Sequence, residues 1–184
     1  ASAPTITTVT AGVKKLTVAF TAPSSNGGAA ITNYEYSTNN GTTWKAFSPA
    51  DTSSPLVISK LSTSTKSLKI GTTYRVKIRA VNSAGSGAAS AAKSGKPANL
   101  PGAPTIGTVT ASTGKLTVAF KAPSTDGGAA ITNYEYSTNN GTTWKAFSPA
   151  DTSSPLVISK RSDTTASLKI GTTYRVKIRA VNSA

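Results

Sequence analysis

Tyr74-Arg75-Val76-Lys77-Ile78-Arg79-Ala80-Val81 alternates apolar and charged side chains without a break, and the same run returns as Tyr174 to Val181. Successive side chains of a strand point to opposite faces. Tyr74, Val76, Ile78 and Ala80 therefore share an inward face. Arg75, Lys77 and Arg79 share the other, as do Arg175, Lys177 and Arg179 in the second run. The pattern predicts a half-buried strand with a basic stripe turned outward.

Working outward, Leu16-Thr17-Val18-Ala19-Phe20 alternates in the same way and stops at Ala22-Pro23. Ser24-Ser25-Asn26-Gly27-Gly28 reads as a loop by its turn residues. Ile31 to Ser37 sets Tyr34 and Tyr36 on one face and Asn33, Glu35 and Ser37 on the other. Asn39-Asn40-Gly41 is a hairpin signal, because both Asn and Gly tolerate positive φ. Thr42 to Phe47 is then the returning arm. Leu56-Val57-Ile58 makes a short strand after Pro55. No segment has helical periodicity. Short strands at turn-marked intervals predict an all-β chain of antiparallel sandwiches.

The chain repeats itself one hundred residues on: Ala3-Pro4-Thr5-Ile6 returns as Ala103 to Ile106, and Gly27–Lys60 is identical to Gly127–Lys160. A repeat this long can own a core, so each copy reads as a domain rather than a turn of a solenoid. The expected limits are 1–96 for the first domain, 97–102 for a Pro-rich linker and 103–184 for the second. Ser94 to Gly102 holds two prolines, which stiffen a joint, so an extended, end-to-end pair is expected. The copies differ most where Leu61, Thr63 and Lys66 become Arg161, Asp163 and Ala166. A core site rarely accepts Leu-to-Arg, so Leu61 is expected to be exposed.

Formal charge is +14, from 20 basic and 6 acidic residues spread along the chain. This balance suits anionic partners, or simply a soluble surface whose sheet edges are guarded by Lys. The chain has no Cys and no His, which removes disulfides, thiol nucleophiles, His-dependent triads and nearly all zinc sites. The six carboxylates, Glu35, Asp51, Asp126, Glu135, Asp151 and Asp163, form no hydrolase pair and no calcium loop. The expectation is no enzyme and no cofactor or metal. No run is apolar enough for a membrane span. No leader is visible at Ala1, which fits a cleaved mature end or a cloning boundary.

Leu68-Lys69-Ile70-Gly71-Thr72-Thr73-Tyr74 resembles the fibronectin type III corner, Leu-x-Pro-Gly-Thr-x-Tyr. Arg75 to Asn82 and Ser83-Ala84-Gly85 resemble that family's strand F and F–G loop. Ala3-Pro4, Leu16–Phe20 and Ala22-Pro23 resemble its strands A and B. The chain departs from the family at Phe20 and Phe120, where Trp is usual, and at Ile70 and Ile170, where Pro is usual. It has no Arg-Gly-Asp, so integrin binding does not carry over. The resemblance implies two tandem immunoglobulin-like sandwiches with strands A-B-E packed on G-F-C-C′, and Tyr74 and Tyr174 bonding nearby backbone through their hydroxyls. Strand E is read at Leu56–Lys60 with an insertion at Leu61–Lys66; the alternative places it at Ser64–Ser67.

Gly85 to Lys93 is the strand G candidate of the first copy. The second copy reaches only Ala184, the equivalent of Ala84, so its strand F, Tyr174–Asn182, is expected to lack a partner. One account is a boundary inside a longer array. The other is a strand supplied by further copies of the repeat or by a neighbouring protomer.

The expected function is a structural spacer in an extracellular or cell-surface stalk, adhesin or filament of a bacterium or archaeon. The alternative is adhesion to an anionic polysaccharide or other polyanion through Arg75, Lys77, Arg79, Arg175, Lys177 and Arg179. Against that alternative stands Glu35 on the neighbouring strand, a ready ion-pair partner, with no aromatic platform clearly interleaved. Trp44 and Trp144 read as half-buried hairpin residues. Asn40-Gly41-Thr42 and Asn140-Gly141-Thr142 fit the N-glycosylation pattern at an exposed tip.

Overall fold

The computed structural model describes residues 1–184. It divides into two units, Ala1–Asn99 and Leu100–Ser183. Unit 1 holds β1 (Thr5–Gly12), β2 (Lys15–Thr21), β3 (Ile31–Ser37), β4 (Lys45–Ala46), β5 (Leu56–Ile58), β6 (Tyr74–Asn82), β7 (Gly85–Ala89) and β8 (Lys93–Gly95). One sheet is ordered β1-β2-β5; the other is β4-β3-β6-β7, with β8 pairing the start of β6. These are the expected A-B-E and C′-C-F-G layers, and all pairings in them are antiparallel.

The core lies between the layers. Leu16, Val18 and Phe20 face Tyr34, Tyr36, Val76, Ile78 and Ala80, with Leu56, Ile58 and Leu68 closing it. The alternation read in the sequence is what fills this space: the inward residues of β2, β3 and β6 are buried. Phe20, in the place where Trp is usual, packs its ring edge-on to Tyr34 at 4.7 Å between centroids, a favoured aromatic geometry.

Unit 2 repeats the plan with β9 (Thr105–Ser112), β10 (Lys115–Lys121), β11 (Ile131–Ser137), β12 (Lys145–Ala146), β13 (Leu156–Ile158) and β14 (Lys177–Asn182). Its sheets are β13-β10-β9 and β12-β11-β14. No strand lies on the outer side of β14. The strand expected over Tyr174–Asn182 is regular only from Lys177, because in unit 1 the matching residues 74–76 are held by β8.

Strand E lies within the expected Leu56–Lys60, regular over Leu56–Ile58 and paired to β2, and the following stretch closes on itself through a Lys60–Ser67 bridge and a Leu61 N–H to Lys66 O bond of 2.9 Å. Other expectations change. Leu61 is not exposed but half-buried against the core. Arg161 instead reaches sideways to Asp163 at 2.6 Å, so the Leu-to-Arg and Thr-to-Asp exchanges compensate each other. The linker read from 97 starts too early. Pro97 and Ala98 are fully buried; Gly71 N–H donates to Pro97 O at 2.9 Å, and Ala98 bridges Val13. Proline composition marked a joint, but burial of apolar surface ties these residues to unit 1.

Ser37 also departs from its expected outward place. It is completely buried, and its hydroxyl accepts the Gly41 N–H at 2.8 Å under the following turn.

Candidate functional site

The outward face of β6 carries the residues with the most chemistry. Arg79 sits opposite Glu35 in the β3–β6 register, and its Nε donates to Glu35 Oε2 at 2.6 Å. Glu35 Oε2 also accepts from Ser86 Oγ of β7 at 2.8 Å. The Arg79 guanidinium lies 4.3 Å over the Trp44 ring, within cation–π range. The expected cross-strand ion pair is thus present, and an aromatic does interleave with the basic stripe. Sequence reading missed it because Trp44 lies in a turn, where period-two alternation says nothing about direction.

The turn that positions Trp44 is built by Asn39 and Ser37. Asn40 and Gly41 take φ of +62° and +93°, the left-handed pair expected of Asn-Gly. The connection is longer than a two-residue hairpin, and the returning arm is only Lys45–Ala46. Asn39 Oδ1 accepts from Thr43 N–H at 3.0 Å, and its amide donates to Thr43 Oγ1 at 3.0 Å. Asn40 N–H donates to Arg75 O at 3.0 Å, which docks the turn onto β6. Gly41 lies beside the Lys77 stem and the Trp44 ring, where a Cβ would meet Lys77 Cδ at 3.3 Å. Buried Ser62 couples the turn to the 61–66 loop through Thr38 and Thr43.

Arg75, Lys77 and Arg79 therefore do not act alike. Arg79 is committed to Glu35 and Trp44. The ion pairs of the chain are Arg79–Glu35, Arg161–Asp163 and Arg179–Glu135, which leaves Arg75 and Lys77 as uncompensated cations on the same strip. Unit 2 repeats the arrangement, with Arg179 4.4 Å over Trp144. Its Arg179 side chain is 52% exposed, against 27% for Arg79, because no counterpart of β7 flanks it. Asn40 and Asn140 stand exposed at their turns.

Other polar residues serve the scaffold. Asn33, read as a solvent-facing residue, pins the 47–51 segment: its amide donates to Phe47 O at 2.9 Å and its carbonyl accepts Asp51 N–H at 3.0 Å. Tyr74 Oη accepts the Lys69 N–H at 2.9 Å, and Tyr174 Oη the Lys169 N–H at 2.9 Å. Two hydrogen bonds from Ser53 to Asp51, through its hydroxyl and its N–H, hold the Asp51 carboxyl below its usual range; Ser153 does the same for Asp151. No three of the Asp and Glu residues gather closely enough to hold a metal ion. No helix is long and apolar enough to cross a membrane.

The family model of the fibronectin type III domain matches residues 2–96. Among solved structures, the FN1–FN3 domains of chicken CNTN1 align over 99% of this chain and 61% of theirs, with a TM-score of 0.58 at 18% sequence identity. The chain thus spans about three-fifths of that structure, and the likeness concerns the fold alone. No curated protein matches the chain.

Proposed function

This chain belongs to the fibronectin type III domain family, and from that membership we propose that it is a non-catalytic spacer, a repeated structural module in an extracellular stalk or filament of a bacterial or archaeal surface protein. The observation that carries the reading is how the two copies diverge. Every buried residue of the unit 1 core recurs in unit 2. The differences fall outside that core, mainly at 12–14, 25–26 and 61–66. Copying such a unit changes a chain's reach while its core stays the same. Modules of this family are generally structural or adhesive rather than catalytic.

One observation favours a second reading, adhesion to an anionic polysaccharide. Arg75 and Lys77 carry no ion pair and lie on the strip that holds Trp44, and unit 2 presents the same set. The two readings separate on immobilised heparin at physiological ionic strength. One variant replaces Arg75, Lys77, Arg175 and Lys177 with Gln; a control replaces Lys60, Lys69, Lys160 and Lys169. A spacer retained only by net charge loses the same retention in both, since screened surface charges act collectively. A loss about tenfold greater in the first variant overturns the spacer in favour of adhesion.

A further inference from the structure

In unit 2, β12 ends one sheet and β13 ends the other. A cavity of about 340 Å³ lies between these two edge strands, lined among others by Tyr136, Lys145, Phe147, Ser148, Ser159 and Lys160. The rings of Tyr136 and Phe147 pack at 4.9 Å between centroids, tilted by 50°. Together with Val157, which is 49% exposed, they form the apolar part of the lining.

The polar part of the lining is cationic and unsatisfied. Neither Lys145 nor Lys160 joins an ion pair, and no carboxylate lines the cavity. Lys145 Nζ is anchored by donating to Thr164 O at 3.2 Å, which leaves it further protons to give. Tyr136 is only 5% exposed, yet its hydroxyl has no hydrogen-bond partner in the chain. No polar side-chain atom is both sealed from solvent and unpartnered, so this hydroxyl opens onto the cavity that Tyr136 lines. Burial pushes the phenol above its ordinary value, so it stays protonated and can donate. A nearly buried hydroxyl without a partner calls for an explanation, and a bound acceptor supplies one. The same site is written into unit 1. Every lining residue falls within Gly127–Lys160, which is identical to Gly27–Lys60. Tyr36 is likewise 5% exposed and packs on Phe47 at 4.9 Å. Lys45 Nζ donates to Ser64 O at 3.0 Å; the acceptor is main chain, so the Ser-to-Thr exchange leaves the anchor in place.

We propose that this cavity binds the ring of a sugar acid, free or at a chain end, once in each unit. The uncompensated ammonium groups of Lys145 and Lys160 take the carboxylate through charge-assisted hydrogen bonds. The Tyr136 phenol and the hydroxyls of Ser148 and Ser159 match a polyol, which donates and accepts in turn. Phe147 and Val157 offer the ring an apolar wall, the usual division of labour in a small-molecule site. The volume stands at the small end of such sites, which run from about 300 Å³, so one ring enters and the interior of a polymer does not. A bare tetrahedral anion would use the lysines and leave the wall and the phenol idle. None of Trp144, Arg175 and Lys177 lines the cavity. The site is therefore separate from the basic strip, and it goes beyond the spacer reading without replacing it.

The test titrates sodium glucuronate into the full ¹⁵N-labelled 184-residue chain at constant ionic strength. The amides of Phe147, Val157 and Ser159, and of Phe47, Val57 and Ser59, are expected to shift saturably with Kd below about 10 mM. Glucose and sodium sulfate are expected to bind at least about tenfold more weakly. Tyr136→Phe is expected to weaken the unit 2 response by about threefold or more, the worth of one hydrogen bond. It leaves unit 1 and the thermal midpoint as they were, because the hydroxyl bonds nothing within the chain. Lys160→Gln is expected to weaken unit 2 by about tenfold, the worth of a charged hydrogen bond. Replacing Arg75, Lys77, Arg175 and Lys177 with Gln changes neither response. No saturable shift overturns the proposal. So does equal binding of sulfate, which makes the cavity a bare anion site, or equal binding of glucose. Unchanged affinity in Tyr136→Phe or Lys160→Gln overturns it as well, as does a loss in the strip variant. None of these readouts involves heparin retention, so the spacer reading stands or falls separately.

Discussion

At the residue scale, the corner tyrosines and the 61–63 pair show where sequence reading succeeds and where it stops. The roles of Tyr74 and Tyr174 were legible because the corner is a local motif: the accepting hydroxyl and the donating backbone N–H lie five residues apart. Replacing either with Phe removes one bond to a backbone N–H and is expected to cost its own unit about 1 kcal/mol. Chemical denaturation followed separately in each unit checks this, and an unmoved midpoint for both variants counts against the corner's contribution. Leu-to-Arg between the copies suggests exposure at position 61, but the structure shows a coupled change, in which Arg161 turns to Asp163 while Leu61 lies on the core. Leu61→Arg is therefore expected to destabilise unit 1, and adding Thr63→Asp to recover part of the loss, with the recovery shrinking as salt rises. If the double variant is no more stable than the single one, compensation is wrong. Asn33 and Ser37 escaped reading for a different reason. Period-two alternation assigns a face, but not whether a loop folds back over that face.

At the element scale, β6 and β14 have identical sequences from Tyr74 to Asn82 and from Tyr174 to Asn182, yet different structures. The difference is made by neighbours alone. β6 lies between β3 and the β7–β8 edge, so its inward residues Val76, Ile78 and Ala80 are all fully buried. β14 has β11 only; Ile178 is 7% exposed, and Val176 and Ala180 are half-buried. The sheet order and strand F were readable from alternation, and so was the missing partner, from simple alignment of the copies. The β8 contribution was not readable, because Lys-Ser-Gly-Lys-Pro looks like a loop and becomes a strand only against Tyr74–Val76. Amide exchange should show the consequence directly. Val176, Ile178 and Ala180 are expected to exchange at least about tenfold faster than Val76, Ile78 and Ala80, and equal protection would show that β14 has a partner in solution. The Trp44 platform follows the same division. Arg79→Gln breaks an ion pair, closed by Ser86, and a stacked guanidinium, and is expected to cost about 1 kcal/mol. Arg179→Gln removes the same groups from a more exposed site without that flank and is expected to cost less.

At the scale of the whole molecule, the titrating groups set a window for stability. Burial pushes the phenols of Tyr34, Tyr36, Tyr134 and Tyr136 above their ordinary value of 10.0, since a phenolate would lose its hydration between the sheets. The folded value thus exceeds the unfolded one. The stability these groups contribute is fully present below pH 10 and drains as pH rises through the folded values, where the unfolded chain releases protons that the core retains. Asp51 and Asp151 act at the other end. Their serine hydrogen bonds favour the carboxylate and lower both below the ordinary 3.8. Their contribution is present above that value and is lost as pH falls through the folded one; at the surface, where solvent screens it, it is small. Neutralising carboxylates also adds to a net charge that is already +14, so self-repulsion reinforces the acid limb. Thermal midpoints are therefore expected to stay level between about pH 5 and 9, to fall above pH 10 and to fall less below pH 4. Tyr34→Phe should soften the alkaline loss in unit 1 and leave unit 2 unchanged. A steep decline between pH 5 and 8 would contradict this account, because the chain has no His, and the raised phenols and lowered Asp51 and Asp151 carboxyls move away from that range.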